Sequence, residues 1–406
     1  MADANVQSDS DLQAEVHAWL QQNWDPEIRA RRQNLGEGFG RNPFQPFLEK
    51  VLAKGWAVPT WPKDQYGLGL SKAQARIIEQ EFAAVRAPGA GQDKHNLWAN
   101  TAATYATPEF RAEILPKLLT GAVGMCLLYS EPGAGSDLAA VRTRADREGD
   151  QFRVNGQKVW TSGAAIADYG MLIARTDWDA PKHAGISFFF LPMKQPGVEV
   201  RPLRQITDES QFNEVFITDA LVPAANLLGP LNGGWRVLQT ALAYERSVMG
   251  DAARGPRSGK AGPKGDNALV ELAREAGVLD DPVLRQDIAQ VTAWKMLNRL
   301  NNARAKAELK QGTSSPIMSL GKLAMSRILH QEARLRTAML GANSLLEGPD
   351  HPRAEDANFL TLNAYFTSIG GGTDQIQRNI IGERVLGLPK EPEVDRNIPF
   401  REVKSG

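Results

Sequence analysis

Apolar residues recur at helical spacing at both ends of this chain and at strand spacing in its middle. After Ser10, or the neighbouring Asp9 or Asp11, as cap, Leu12, Val16, Leu20 and Trp24 predict a first helix. Phe47, Leu48, Val51 and Leu52 predict a second over 46–54, and Ser71 opens a third through Ile77, Ile78, Phe82 and Val85. Between these two lies Trp56-Ala-Val-Pro-Thr-Trp-Pro, an aromatic, proline-broken loop. From about Met125 the apolar runs shorten. Asn155-Gly156, between Phe152-Arg-Val and Gln157-Lys-Val-Trp, predicts a hairpin turn. Strands are expected at Tyr169–Ala174, Ile186–Leu191 and Glu214–Ile217. Helical spacing returns at Trp235. Leu284, Ile288, Val291, Trp294 and Leu297 mark one long helix, a second runs from Pro316 toward Leu346, and a last one from near Thr373 to Gly387. The expected fold is α+β: a helical domain over 1–124, a mostly antiparallel β-domain over 125–233 and a helical bundle over 234–406.

The balance of charge narrows the partners. Among 406 residues, Lys+Arg and Asp+Glu both number 47, so no net field draws the chain to nucleic acid or to an anionic membrane. No segment has the length of a membrane span, and the polar, acidic start lacks the features of a signal peptide. The single cysteine, Cys126, lies in the apolar run Met125–Leu128 and reads as a small core residue. A cytoplasmic protein is the expectation.

Three segments carry candidate chemistry. Leu128-Tyr-Ser-Glu-Pro-Gly-Ala-Gly-Ser-Asp137 clusters backbone N–H groups and hydroxyls, without the spacing of a P-loop or a Rossmann turn. Val159-Trp-Thr-Ser-Gly163 places an indole beside two hydroxyls, which suits either a flat ligand or a core tryptophan. Ile369-Gly-Gly-Gly-Thr373 opens a Thr-capped helix, which serves either as a ligand cradle or as an ordinary turn. Nothing suggests a metal site. The basic loop from Arg254 to Gly265 reads first as a solvated connector.

Together these segments resemble the acyl-CoA dehydrogenase family. Ser130-Glu-Pro-Gly-Ala-Gly-Ser-Asp137 is similar to its first signature and Gly372-Thr-Asp-Gln-Ile-Gln-Arg378 to its second. The Gly55-Trp, Leu221-Val-Pro and Gly387-Leu-Pro segments extend the likeness over nearly the whole chain. The resemblance implies FAD, an acyl-CoA substrate and a β-oxidation type of reaction. It also implies an electron-transferring flavoprotein as acceptor and a homotetramer or dimer. It assigns Tyr129 and Ser130 to the flavin ring, Ser136 to the phosphate and thioester path, Trp160 to stacking and Ser162 to the hydroxyl at flavin N5. Thr373 and Gln375 go to the ribityl–phosphate portion, and Gly135 and Thr161 complete the cofactor set. Ser136, Tyr244, Arg246, Gly371 and Gly372 form the substrate set, with the N–H at Gly371 or Gly372 on the thioester oxygen.

Many members of the family place the catalytic base where this chain has Gly371, which accepts no proton. Others carry it on a helix after the β-domain, and Leu242-Ala-Tyr-Glu-Arg-Ser247 aligns there, making Glu245 the expected base. In a dry pocket beside a flavin its pKa should rise. On the residues alone, Glu245 and Arg246 read as a surface pair. An acyl-CoA oxidase, a flavin monooxygenase or nitroalkane oxidase, and one subunit of a heteromeric dehydrogenase are the rival readings. The acyl group stays open among branched, cyclic, aromatic and dicarboxylic kinds. His95, Trp98 and Asn100 border it or merely pack, and Arg254, Arg257 and Lys260 are candidates for a phosphate across a subunit interface.

Overall fold

The computed structural model describes residues 8–27, 42–252, 267–310 and 317–404. The side chains of 245–252, 306, 309, 310, 318 and 319 lie outside that description. The chain forms two compact units. One comprises Met1–Leu203, Ser210–Val248 and Val394–Gly406, the other Arg204–Glu209 and Met249–Glu393.

The first unit opens with α1 (Asp9–Asn23), α2 (Gln45–Ala53) and α3 (Lys72–Ala84), followed by α4 (Gln92–His95), α5 (Leu97–Tyr105) and α6 (Pro108–Thr120). The cap of α1 is Ser8, whose hydroxyl accepts from Asp11 N at 3.1 Å, instead of Ser10, Asp9 or Asp11. Starting the helix two residues earlier leaves the buried face of Leu12, Val16 and Leu20 unchanged. Ser71 caps α3 in a reciprocal capping box with Gln74.

The sheet holds β1 (Met125–Leu128), β2 (Arg144–Glu148), β3 (Gln151–Ser162), β4 (Tyr169–Arg175), β5 (Ile186–Pro192), β6 (Val198–Leu203), β7 (Phe212–Pro223) and β8 (Leu227–Leu228). Their order is β6-β7-β3-β2-β4-β5-β8, with β1 parallel to β4. The pairings are antiparallel except β1 with β4 and the single β2–β4 pair. Strand β5 explains why its sequence reads as an unbroken apolar run. Ile186, Phe188 and Phe190 pack on one face with α5, α6 and Val237, while Phe189 and Leu191 pack on the other with Phe152, Leu172 and Val215. Helices before and after the sheet thus share one core with it, which joins them into a single unit.

Asn155-Gly156 is no turn. Both residues sit mid-strand in β3, and the reversal from β2 lies at Gly149–Asp150. The glycine is there for space: a Cβ at Gly156 would come 2.4 Å from Thr143 Oγ1 and 2.7 Å from its Cα. The register against β7 shifts there, between Val154 and Gly156. Gly156→Ala should therefore cost about 1–3 kcal/mol, read as a lower urea midpoint at unchanged slope.

In the second unit α8 (Ala268–Glu275), α9 (Pro282–Lys310), α10 (Ile317–Leu340), α11 (Pro352–Ile369) and the short α12 (Asp374–Ile380) form the bundle. Leu269, Leu272, Ile288, Val291, Ile328 and Leu335 fill its core. The expected long helices are present, but α10 gives way to a 3-10 turn at Gly341–Leu345 before reaching Leu346. Helix α11 was not anticipated, because its buried positions are mostly alanines, Ala354, Ala357 and Ala364. Arg254, Arg257 and Lys260 lie outside the described residues.

Candidate active site

The glycine loop and the indole strand, separate in sequence, meet through the backbone. Strand β1 delivers Tyr129 and Ser130, and Val159 N donates to Ser130 O at 2.9 Å. Glu131 and Ala134 then exchange N–H bonds at 3.0 and 3.1 Å and close the turn. Tyr129 is buried, its hydroxyl 3.6 Å from Met171 Sδ, while Gly135 and Ser136 stand exposed.

Strand β3 slips register a second time between Lys158 and Thr161, and Trp160 sits in that bulge with φ of 61°. The bulge turns the indole outward, 61% exposed, its ring edge-to-face with Phe212 at a centroid separation of 6.0 Å. The core-tryptophan reading of Trp160 is therefore corrected: Val159 and Thr161 take the buried positions on either side. Thr161 Oγ1 is buried with no hydrogen-bond partner among the described residues, and Ser162 is exposed beside it.

The loop is fixed from beneath by groups that motif reading passed over. Lys158 is fully buried and donates to Tyr129 O at 3.1 Å and Glu131 Oε1 at 2.8 Å. Glu131 also accepts from Arg142 N at 2.7 Å and Thr143 N at 2.9 Å. Burial alone would raise the Glu131 carboxyl, but the charge and hydrogen bond of Lys158 outweigh it and hold the group below the usual carboxylate range. Burial pushes the Lys158 ammonium down against the pull of Glu131. The signal was present: Phe152, Val154 and Lys158 share the inward face of a period-2 strand, where an unpaired lysine is not tolerated.

Cys126 packs in the sheet core, and burial pushes its thiol up to about 12, so it is no nucleophile. Asn100 is a packing residue, its amide spent on Gln92 O at 3.1 Å and Asn96 O at 2.7 Å. His95 is exposed and Trp98 packs against the main core. In α7 (Gly234–Ala252), Val237, Leu238 and Ala241 anchor on the sheet and Tyr244 packs partly against the same core. The side chains of Glu245 and Arg246 lie outside the described residues.

In the second unit, Gly371 and Gly372 adopt φ of 65° and 87°, the left-handed region that favours glycine. Thr373 caps α12, its hydroxyl accepting from Ile376 N at 3.2 Å. Asp374 is spent inward, accepting from Ser326 Oγ at 2.8 Å and Lys322 Nζ at 3.1 Å, whereas Gln375 is exposed. Among the described residues no cluster of His, Cys, Asp or Glu could hold a metal, and no helix is long and apolar enough to cross a membrane.

A helical, sheet and helical order sets an exposed indole beside an open glycine loop, an arrangement suited to holding a flat ligand with a polar edge. The residues fit FAD, since a Cβ at Gly133, Gly135 or Gly163 would meet nothing within 4 Å, leaving backbone open to a ligand. The N-terminal, middle and C-terminal domain models of acyl-CoA dehydrogenases match residues 7–122, 126–220 and 232–386. The chain belongs to the acyl-CoA dehydrogenase family, and FAD is its cofactor. Acyl-CoA dehydrogenase IpdE1 of Mycobacterium tuberculosis is 34% identical over 397 residues, 95% of this chain and 99% of that one. Among solved structures, the Tcur3481-Tcur3483 steroid ACAD superposes with a TM-score of 0.68 at 27% identity, over 96% of this chain and 100% of that one. The ChsE4-ChsE5 complex from Mycobacterium tuberculosis gives 0.64 at 28%, over 96% and 100%.

Proposed function

We propose that the protein removes the α-proton and a β-hydride from a bulky, polycyclic acyl-CoA thioester, with Glu245 as base, passing electrons to an electron-transferring flavoprotein. The observation that carries this reading is the bond from Val159 N to Ser130 O, which joins the first signature to the bulge presenting Trp160. The domains are taken as 1–124, 125–233 and 234–406. FAD, when bound, supplies the hydride acceptor. Tyr129, Ser130, Gly135 and Ser136 contribute the loop, Trp160 the stacking face, and Thr161 and Ser162 the hydroxyls, with Thr373 and Gln375 assigned to the same cofactor. Glu245 takes the α-proton, flanked by Tyr244 and Arg246. The N–H at Gly371 or Gly372 stabilises the charge that develops on the thioester oxygen. The left-handed backbone at Gly371 supports a base placed elsewhere, because a glutamate there would carry strain.

The steroid ACAD among the similar structures favours a steroid CoA ester over a short linear one. That structure and the ChsE4-ChsE5 complex each pair two named components, which favours a heteromeric assembly over a homotetramer or homodimer. Anaerobic titration with a steroid CoA ester should bleach the bound flavin, and butanoyl-CoA should do so far more slowly. A yellow protein bleached by no CoA thioester, alone or with a partner chain, would overturn the proposal. Rapid peroxide formation under air would favour the oxidase reading instead.

A further inference from the structure

The C-terminal segment Val394–Lys404 lies beyond the family match, which ends at residue 386, yet it packs in the first compact unit. Phe400 is fully buried and hydrogen-bonds through its N–H to Ala180 O at 3.0 Å, and Arg401 N follows to Trp178 O at 3.0 Å. The Phe400 ring lies 3.5 Å from the guanidinium carbon of Arg175 and 5.1 Å from that of Arg142. Arg142 Nη2 returns to the segment by donating to Val403 O at 3.1 Å.

Arg175 is itself fully buried, and the hydrogen bonds of its guanidinium go to carbonyls: Lys182 O at 2.7 Å, Ala139 O at 2.6 Å and Val141 O at 3.2 Å. Among the described residues no carboxylate lies within ion-pair distance of it and its Nε has no partner, and burial lowers the group to about 10. Beyond these carbonyls, the aromatic face of Phe400 adds a cation–π contact to the buried guanidinium. Two of the three carbonyls belong to 139–141, the stretch directly after the glycine loop. A second link reaches the same place. Lys182 Nζ donates to Asp137 Oδ2 at 3.1 Å and to Asp395 Oδ2 at 3.0 Å, tying the last residue of the first signature to the C-terminal segment.

We propose that Phe400 and Lys182 are positioning residues: acting through Arg175 and Asp137, they hold the C-terminal side of the glycine loop in the shape that binds FAD. This rests on the reading that residues 130–137 contact FAD. The Glu131–Lys158 pair fixes the entry to the loop, and the C-terminal segment fixes its exit. An Asp137–Arg142 stretch free to move would let the open backbone at Gly133 and Gly135 sample shapes that do not fit the cofactor.

The test is titration of FAD into apoprotein, followed by flavin fluorescence, below the melting temperature of every variant. Lys182→Met removes both carboxylate links while keeping an apolar stem. Phe400→Leu keeps apolar bulk but removes the ring face from Arg175. Each should weaken FAD about tenfold, and the double variant should lose less than the product of the two, because both act on one stretch. A purely structural role would lower the apoprotein melting temperature yet leave the FAD dissociation constant within about twofold, and that result overturns the proposal. Gly135→Ala, whose Cβ would meet no protein atom within 4 Å, probes the loop directly. If it weakens FAD while the other two do not, the positioning role alone fails; if it also has no effect, the flavin-loop reading falls and takes the proposal with it. Should Phe400→Leu not fold, Asp395→Asn beside Lys182→Met decides by the same criterion.

Discussion

Glu245→Gln is expected to retain yellow FAD and lose flavin reduction by acyl-CoA, with the rate falling by about 10²–10⁴. Glutamine keeps the size of glutamate and the hydrogen bonds of one oxygen, but it accepts no proton. The change therefore separates binding from chemistry. If Glu245 is the base, the acyl-CoA dissociation constant, read from the flavin spectrum before reduction, should stay close to that of the unaltered protein while the reduction rate collapses. Val237, Leu238 and Ala241 pack in the core shared with the sheet. Tyr244, packed partly on the same core, precedes Glu245 directly. Gly371 cannot substitute, since it has no side chain and sits in the left-handed region. Reduction within about tenfold of the unaltered rate would remove Glu245 from the mechanism and leave the reaction without an assigned base.

The order of helices, sheet and helices was legible because long apolar periods differ between 3.6 and 2 residues. What was not legible follows from packing between distant segments. Asn155-Gly156 has the composition of a turn, yet Thr143 from the neighbouring strand dictates the glycine, and no local pattern encodes that approach. Trp160 was ambiguous because a single bulge decides whether its side chain faces the core, and a bulge is set by the register with β7. Ser8 replaced Ser10 as cap because several polar residues in a row all satisfy the local rule. The candidate site divides the same way. Its glycine loop and indole strand could be named from local residue patterns, whereas Phe400 is far in sequence from Arg175 and Lys182, and none of the three belongs to a short motif. Lys158 was the one supporting residue within reach, through its inward phase on β3.

Lys158→Met should be strongly destabilising. Methionine fills the volume of the lysine stem but removes both donors, leaving the buried Glu131 carboxylate with only Arg142 N and Thr143 N, and Tyr129 O without its 3.1 Å partner. Stranding one member of a buried pair costs about 3–5 kcal/mol, read from urea unfolding of the apoprotein. Replacing both members apolarly would strand both backbone N–H groups, whereas Lys158→Met with Glu131→Gln strands only one, because Arg142 N and Thr143 N bond to different carboxylate oxygens and the amide keeps a single acceptor, so part of the loss should return. The pH dependence checks the cause. The native Glu131 carboxyl is held below its unfolded value, so its contribution is complete above the unfolded pKa of about 4.3 and is lost as pH falls through the lower native value. Stability of the unaltered protein should therefore drop over that acid window, and the double variant should lack this part of the slope. Lys158→Met within about 1 kcal/mol of the unaltered protein would mean that the pair is not what holds the loop.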